Sequence, residues 1–250
     1  MSTSLCLHRG GRVVEVDELN SIAAPPPEGR WFPLSHGKVL TKVQETLTDA
    51  GYAIERQQLG LSADNARFFG VMDLTMPLVP GVTLAVGVRN SIDKSFPIGF
   101  CAGSRVFCCD NLAFRSELLV RKKHTRYGEM RFAAAIGEAV VRLDQFKADE
   151  AARVGLMQAT QVPNETADSL ILRAFEKGIV STPVLPNVIR EWREPSYEDF
   201  QPRTLWSLFN AFTTALAERA QANPHSYAVQ TMRLSAHLTV GAEAMHALAT

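Results

Sequence analysis

The sequence has few of the local signatures by which chemistry usually shows itself. No stretch approaches the ~20 consecutive apolar residues that a bilayer-crossing helix needs. The opening residues MSTSLCLHRGGRVVEVDELN carry acids early and hold no apolar run of leader length, so no targeting segment is expected. Cysteine is sparse. Its four copies, Cys6, Cys101, Cys108 and Cys109, form no spaced pairs, which argues against both a disulfide framework and a structural zinc site. Reduced thiols in a cytoplasmic protein are the expectation. The six histidines are scattered, with no HExxH; there is no GxxxxGK[ST] loop, no GxGxxG after a strand and no GxSxG elbow. Net charge is absent too. The 26 basic and 26 acidic residues cancel, so the chain cannot coat a polyanion by bulk charge. From these gaps we expect no cofactor, no metal, no membrane segment and no local catalytic motif.

A core is well provided for. Hydrophobic residues make up 46% of the chain and charged ones 21%. Residues 1–34 form a lead-in with the stiff run Pro25-Pro26-Pro27. Ser35 is placed to cap a helix that runs to about Ala50, with Val39, Leu40, Val43 and Leu47 on one face and Gly51 as its stop. Strand patterns follow at 52–59, 66–74, 83–88, 98–109 and 117–120. The helical period then takes over: Phe132, Ile136, Val140, Leu143 and Phe146 within 127–157, a helix from Thr166 to Lys177, a proline-punctuated connector, and helices at 204–221 and 226–238. Strands first and helices after predict an α+β fold. Its N-terminal helix and antiparallel sheet span 35–125, the helical half packed on them spans 126–240, and 241–250 is a tail of the same unit.

Two polar groups interrupt this plan. Arg89-Asn90-Ser91 with Asp93-Lys94-Ser95 falls at the predicted end of a strand, where scaffolds present functional groups. Arg89 and Lys94 suit phosphates, and Asn90 suits backbone oxygens or base edges; the plainer account is a turn braced by its own Asn and Asp. The second group is Arg121-Lys122-Lys123-His124, with Arg126 beyond. From Arg115 to Arg131 there are six Lys/Arg against two Glu, a local positive excess in a neutral chain. Strand alternation sends Arg121 and Lys123 to one face and Lys122 and His124 to the other; a lysine-guarded edge strand is the plainer account. Phe68, Phe69, Phe96 and Phe100 at strand spacing read as core before they read as base-stacking platforms. Arg105 with Asp110-Asn111 reads as a buried ion pair under the sheet. The Trp206–Asn210 stretch reads as a hydrophobic lock between helices and sheet, with Asn210 tying the connector's backbone.

Three longer stretches are familiar. Trp31-Phe32-Pro33-Leu34-Ser35-His36 enters the first long helix. Phe69-Gly70-Val71, Gly87-Val88-Arg89-Asn90-Ser91, Asp93-Lys94-Ser95, Gly103-Ser104-Arg105-Val106-Phe107, Cys109-Asp110-Asn111-Leu112-Ala113-Phe114 and Lys123-His124-Thr125 run through the strands. Glu191-Trp192, Pro195 and Arg203–Thr213 lie in the helical half. Over roughly residues 12–238 these resemble the phage- and plasmid-like proteins of the domain of unknown function family 932. That resemblance implies a mobile genetic element and leaves the activity open. A helix leading into antiparallel strands with a basic edge is also similar to the ring-forming single-strand annealing proteins, an analogy of fold alone.

The sequence thus predicts a nucleic-acid-binding protein of a mobile element, with single-stranded DNA as partner, annealing as its use and a homo-oligomer as its working form. Its contacts are Arg89, Asn90, Lys94, Arg121, Lys122, Lys123 and Arg126. The alternatives are an enzyme centred on Arg89, Asp93, Lys94, Asp110 and Asn111, which needs those side chains to converge, and a protein-interaction module in which they brace loops.

Overall fold

The computed structural model describes residues 11–106, 112–220 and 224–249. The fold is α+β: a six-stranded antiparallel meander with helices before and after it. The lead-in is structured, with strand β1 (Arg12–Val14) and helix α1 (Val16–Ser21). Helix α2 spans His36–Asp49. Ser35 caps it by accepting a hydrogen bond from Lys38 N–H at 3.4 Å, and Gly51 ends it with φ +86°. Strands β2 (Ile54–Leu61) and β3 (Arg67–Val79) form a hairpin, turned at Asn65 with φ +58° and braced by Asp64 Oδ1, which accepts from Ala66 N–H. Then come β4 (Val82–Ser91), β5 (Ile98–Val106) and β6 (Leu112–Lys122), each paired with its sequence neighbour in the order β1–β6.

One difference from the sequence reading bears on function. β4 does not stop at Val88. It continues through Asn90 and Ser91, which pair with Phe68 and Arg67. Polar side chains therefore sit inside a strand, on alternating faces. Phe68, Asn90 and Ile98 share the face turned to α2, where His36 meets both Phe68 and Asn90. Phe69, Arg89, Gly99 and Arg121 share the opposite face, met by Val229 and Met232 of the last helix.

The helical half is α3 (Gly128–Val141), α4 (Leu143–Ala159), α5 (Asn164–Glu176), α6 (Leu185–Arg193), α7 (Leu205–Ala220) and α8 (Pro224–Ala249). The stretch expected as one helix from 127 to 157 breaks at Arg142, which caps both α3 and α4. The apolar period runs on across the break and hides it. α6 lies in the expected connector, because Pro186 falls in its first turn, where proline is tolerated. α8 runs on to Ala249, beyond the expected stop at Leu238.

The core joins both halves. Phe68 and Phe100 from the sheet and Phe132, Trp192, Phe209 and Phe212 from the helices are fully buried, each worth roughly 2–3 kcal/mol of transfer free energy. α7 packs chiefly against α4, α6 and α8, so Trp206 and Phe209, stacked at 5.4 Å, lock helices to one another. Asn210 is buried, and its Nδ2 donates to the carbonyl of Trp206 in its own helix at 3.0 Å. Among the described residues, no helix is long and apolar enough to cross a membrane.

Candidate functional site

The residues picked from the sequence do not share one surface. Asn90 is fully buried. Its Nδ2 donates to the Leu34 carbonyl at 2.9 Å and lies 3.0 Å from His36 Nδ1, so the expected contact with a partner is corrected to an internal brace. Lys94 is already neutralised: its Nζ lies 2.5 Å from Glu28 Oε2 and 4.9 Å over the Trp31 ring. Lys94 takes φ +67°, a left-handed turn position that aims its side chain back at the lead-in. Lys122 points to the α2 side of the sheet, while Arg89 and Arg121 point to the α8 side. Arg89 is half-buried, with its guanidinium 5.0 Å from the centre of the Phe96 ring.

Asn90 and Lys94 belong to a clamp that sequence reasoning missed. The strip from Trp31 to His36 crosses the end of the sheet and is held at each step. Phe32 N–H donates to the His124 carbonyl at 3.2 Å, and Leu34 N–H donates to His124 Nδ1 at 3.2 Å. The Leu34 carbonyl takes its bond from Asn90, and His36 Nε2 reaches the Asn65 carbonyl at 3.0 Å. Because Nδ1 of His124 accepts, that ring must be neutral with its proton on Nε2. Burial, reinforced by the neighbouring His36, pushes His124 down to about 4, against a weaker opposing effect of the Ser91 backbone. Burial also lowers His36, opposed by the Asn65 carbonyl and by Asp93. Among the described residues, Trp31 Nε1, Asn90 Oδ1 and His124 Nε2 are buried with no hydrogen-bond partner, so a charge added here meets little compensation.

What the clamp holds in place is a basic corner. With His124 buried, its neighbours face outward: Arg121, Lys123 and Arg126 are exposed, and Lys122 is half-buried. The chain then turns tightly into α3, with Gly128 N–H bonded to the Thr125 carbonyl at 2.7 Å. A Cβ at Gly128 would lie 3.2 Å from the Lys123 carbonyl, a tighter approach than most side chains make. Tyr127 is 57% exposed beside Arg126, and Arg131 is exposed on the first turns of α3. The one acid of the corner, Glu129, lies 4.0 Å from Lys38. Among the described residues, no carboxylate lies within ion-pair distance of Arg121, Lys122, Lys123, Arg126 or Arg131.

The enzyme-like grouping does not assemble from its described members. Asp93 sits 3.5 Å from Arg67, Lys94 turns to Glu28, and Arg89 faces α8. Asp110 and Asn111 lie outside the described residues, as do Cys6, Cys108, Cys109, His8 and the side chains of Arg115, His225 and His246. Arg105 forms an ion pair with Asp73 on β3, at 2.8 Å, while its expected partner Asp110 lies outside the described residues. Arg56 reaches the other oxygen of Asp73, also at 2.8 Å. Among the described residues, no group of three or more His, Cys, Asp or Glu is placed to hold a metal ion. No protein-family model matches the chain, and no curated protein or solved structure does so either.

Proposed function

We propose that this protein binds nucleic acid, single-stranded DNA foremost, through the basic corner at the end of β6 and the start of α3. The observation that supports this reading is a charge imbalance. Between positions 121 and 131 stand five cations, Arg121, Lys122, Lys123, Arg126 and Arg131, against the single carboxylate of Glu129. None of the five is neutralised by a neighbouring carboxylate among the described residues, and a neutral chain gathers such an excess only locally. Tyr127 adds an exposed ring on which an unpaired base can stack, which favours single strands over duplex. Asn90 and Lys94 act behind this surface, as parts of the clamp. The wider reading follows the family resemblance: a phage- or plasmid-type protein that anneals strands as a homo-oligomer.

The test is fluorescence anisotropy with a labelled oligothymidine across a salt series. About four phosphate contacts give a slope of log K against log[salt] near −3. The double variant K123A/R126A should bind more weakly and bring the slope to about −1.5. Y127A should cost about 1–3 kcal/mol of binding with the slope unchanged. Equal affinity and equal slope for wild type and the double variant would sink the proposal.

A further inference from the structure

Helix α3 is apolar on more sides than its own chain covers. Of its 14 residues only Glu129, Arg131 and Glu138 are charged. One face, with Phe132, Ile136 and Val140, is buried against the rest of the molecule. A helix half-sunk in this way normally turns polar and charged residues to water. The outer face of α3 instead carries Met130, Ala134, Gly137 and Val141, at steps of four, three and four. Met130 is 66% and Val141 83% exposed, and Ala134 lies exposed between them. Apolar side chains scattered singly over a surface need no explanation, but a row at helical spacing does.

The glycine in the middle of that row sharpens the point. A Cβ on Gly137 would meet nothing within 4 Å, so no neighbour in the monomer requires glycine there. Glycine weakens a helix interior more than any residue but proline. Beside Ala134 it leaves a low place where a second backbone can come close.

Charge says what covers the row. Arg131 and Glu138 stand seven residues apart on one flank of it, and both are exposed. Among the described residues, neither has an ion-pair partner. A second α3 laid antiparallel over the first, Met130 against Val141 and Ala134 against Gly137, brings each Arg131 to the other copy's Glu138. A parallel copy would carry the two flanks to opposite sides of the seam and could form no such pair. The pattern is therefore self-complementary in one direction.

We propose that this face docks on the same face of a second copy of the chain, as a twofold antiparallel α3–α3 dimer. Tyr127 stays outside the seam, because the position opposite it is 144, past the break at Arg142. The two basic corners, at the N-terminal ends of the paired helices, then stand roughly 20 Å apart. This gives the homo-oligomer of the proposed function its contact, and it rests on that reading only for its use in annealing. A seam of about three helical turns is small beside the roughly 1,200–2,000 Å² of a standard interface, so the expected association is micromolar.

Sedimentation equilibrium of the full chain from about 5 to 500 µM, without nucleic acid, tests it. The average mass should climb from one chain towards two across that range. A134R, which sets a long cation at the centre of the seam on a residue exposed in the monomer, should remain a single chain throughout. E138R should weaken association by about tenfold, and the charge exchange R131E/E138R should restore it to within about twofold of wild type. Circular dichroism melts check that all three variants remain folded. K123A/R126A should associate as wild type does while losing oligothymidine, so failure of the seam and failure of the strand site read out separately. A single-chain mass at every concentration, association untouched by A134R, or an exchange variant no better than E138R would overturn the proposal.

Discussion

Acid should loosen the clamp before it unfolds the rest, and His124 sets where this happens. Its native value is near 4, against 6.5 for the free side chain. Between those values the unfolded chain binds a proton that the native state refuses, so native stability rises with pH across this window. The contribution is complete above about pH 7, where neither state is protonated, and fades as pH falls through 6.5 towards 4. The full gap corresponds to about 3 kcal/mol, and by pH 5 about 2 kcal/mol is already lost. For a chain of this size that is a fall in Tm of about 4–8 °C. The fitting control is H124N, whose amide oxygen stands where Nδ1 accepts from Leu34 but does not titrate. Thermal melts of wild type and variant at pH 7.5, 6 and 5, at fixed ionic strength, separate His124 from the carboxylates common to both. Wild type should lose several degrees more than H124N over that range. Parallel curves would refute the reasoning, and a His124 ring resonance titrating near 6.5 would refute it independently.

Two further substitutions test the assignment of polar residues to structure. D73N removes the carboxylate that pairs with both Arg105 and Arg56 and so breaks a buried ion pair, which should cost about 3–5 kcal/mol in urea unfolding. K94A breaks an exposed pair with Glu28 and should leave both Tm and oligothymidine affinity essentially unchanged; a loss of affinity would return Lys94 to the interface.

Local chemistry carried the fold a long way. The Ser35 cap, the Gly51 stop and the apolar runs of β3 and β4 are decided by neighbours within four residues, so they can be read in one dimension. The breaks are equally physical. Arg142 divides α3 from α4 without disturbing the apolar period, and Pro186 opens α6 where a proline cluster suggested a connector. The site was legible in part. The charge excess at 121–131 is visible as composition, and the exposure of Arg121, Lys123 and Arg126 agrees with it. Asn90 and Lys94 misled because a polar residue inside a strand looks the same whether it faces a ligand or braces a loop. Their partners, Leu34 and Glu28, lie 56 and 66 positions away. No local pattern encodes such pairings. The Arg105–Asp73 pair makes the same point: the aspartate is 32 residues upstream, on a strand two places across the sheet.

The strip that runs from Trp31 to His36 also dictates an order of assembly. Leu34 and His124 are separated by 90 positions, and every strand from β2 to β6 lies between them. Each hairpin of the meander can close as soon as its two strands exist, since all pairings are between sequence neighbours. The strap has to wait for the last of them, because closing so long a loop is favourable only once the sheet has brought its ends together. The cationic corner is therefore the part of the sheet to set last, and a nascent or nicked chain would own the strands before it owned the surface they display.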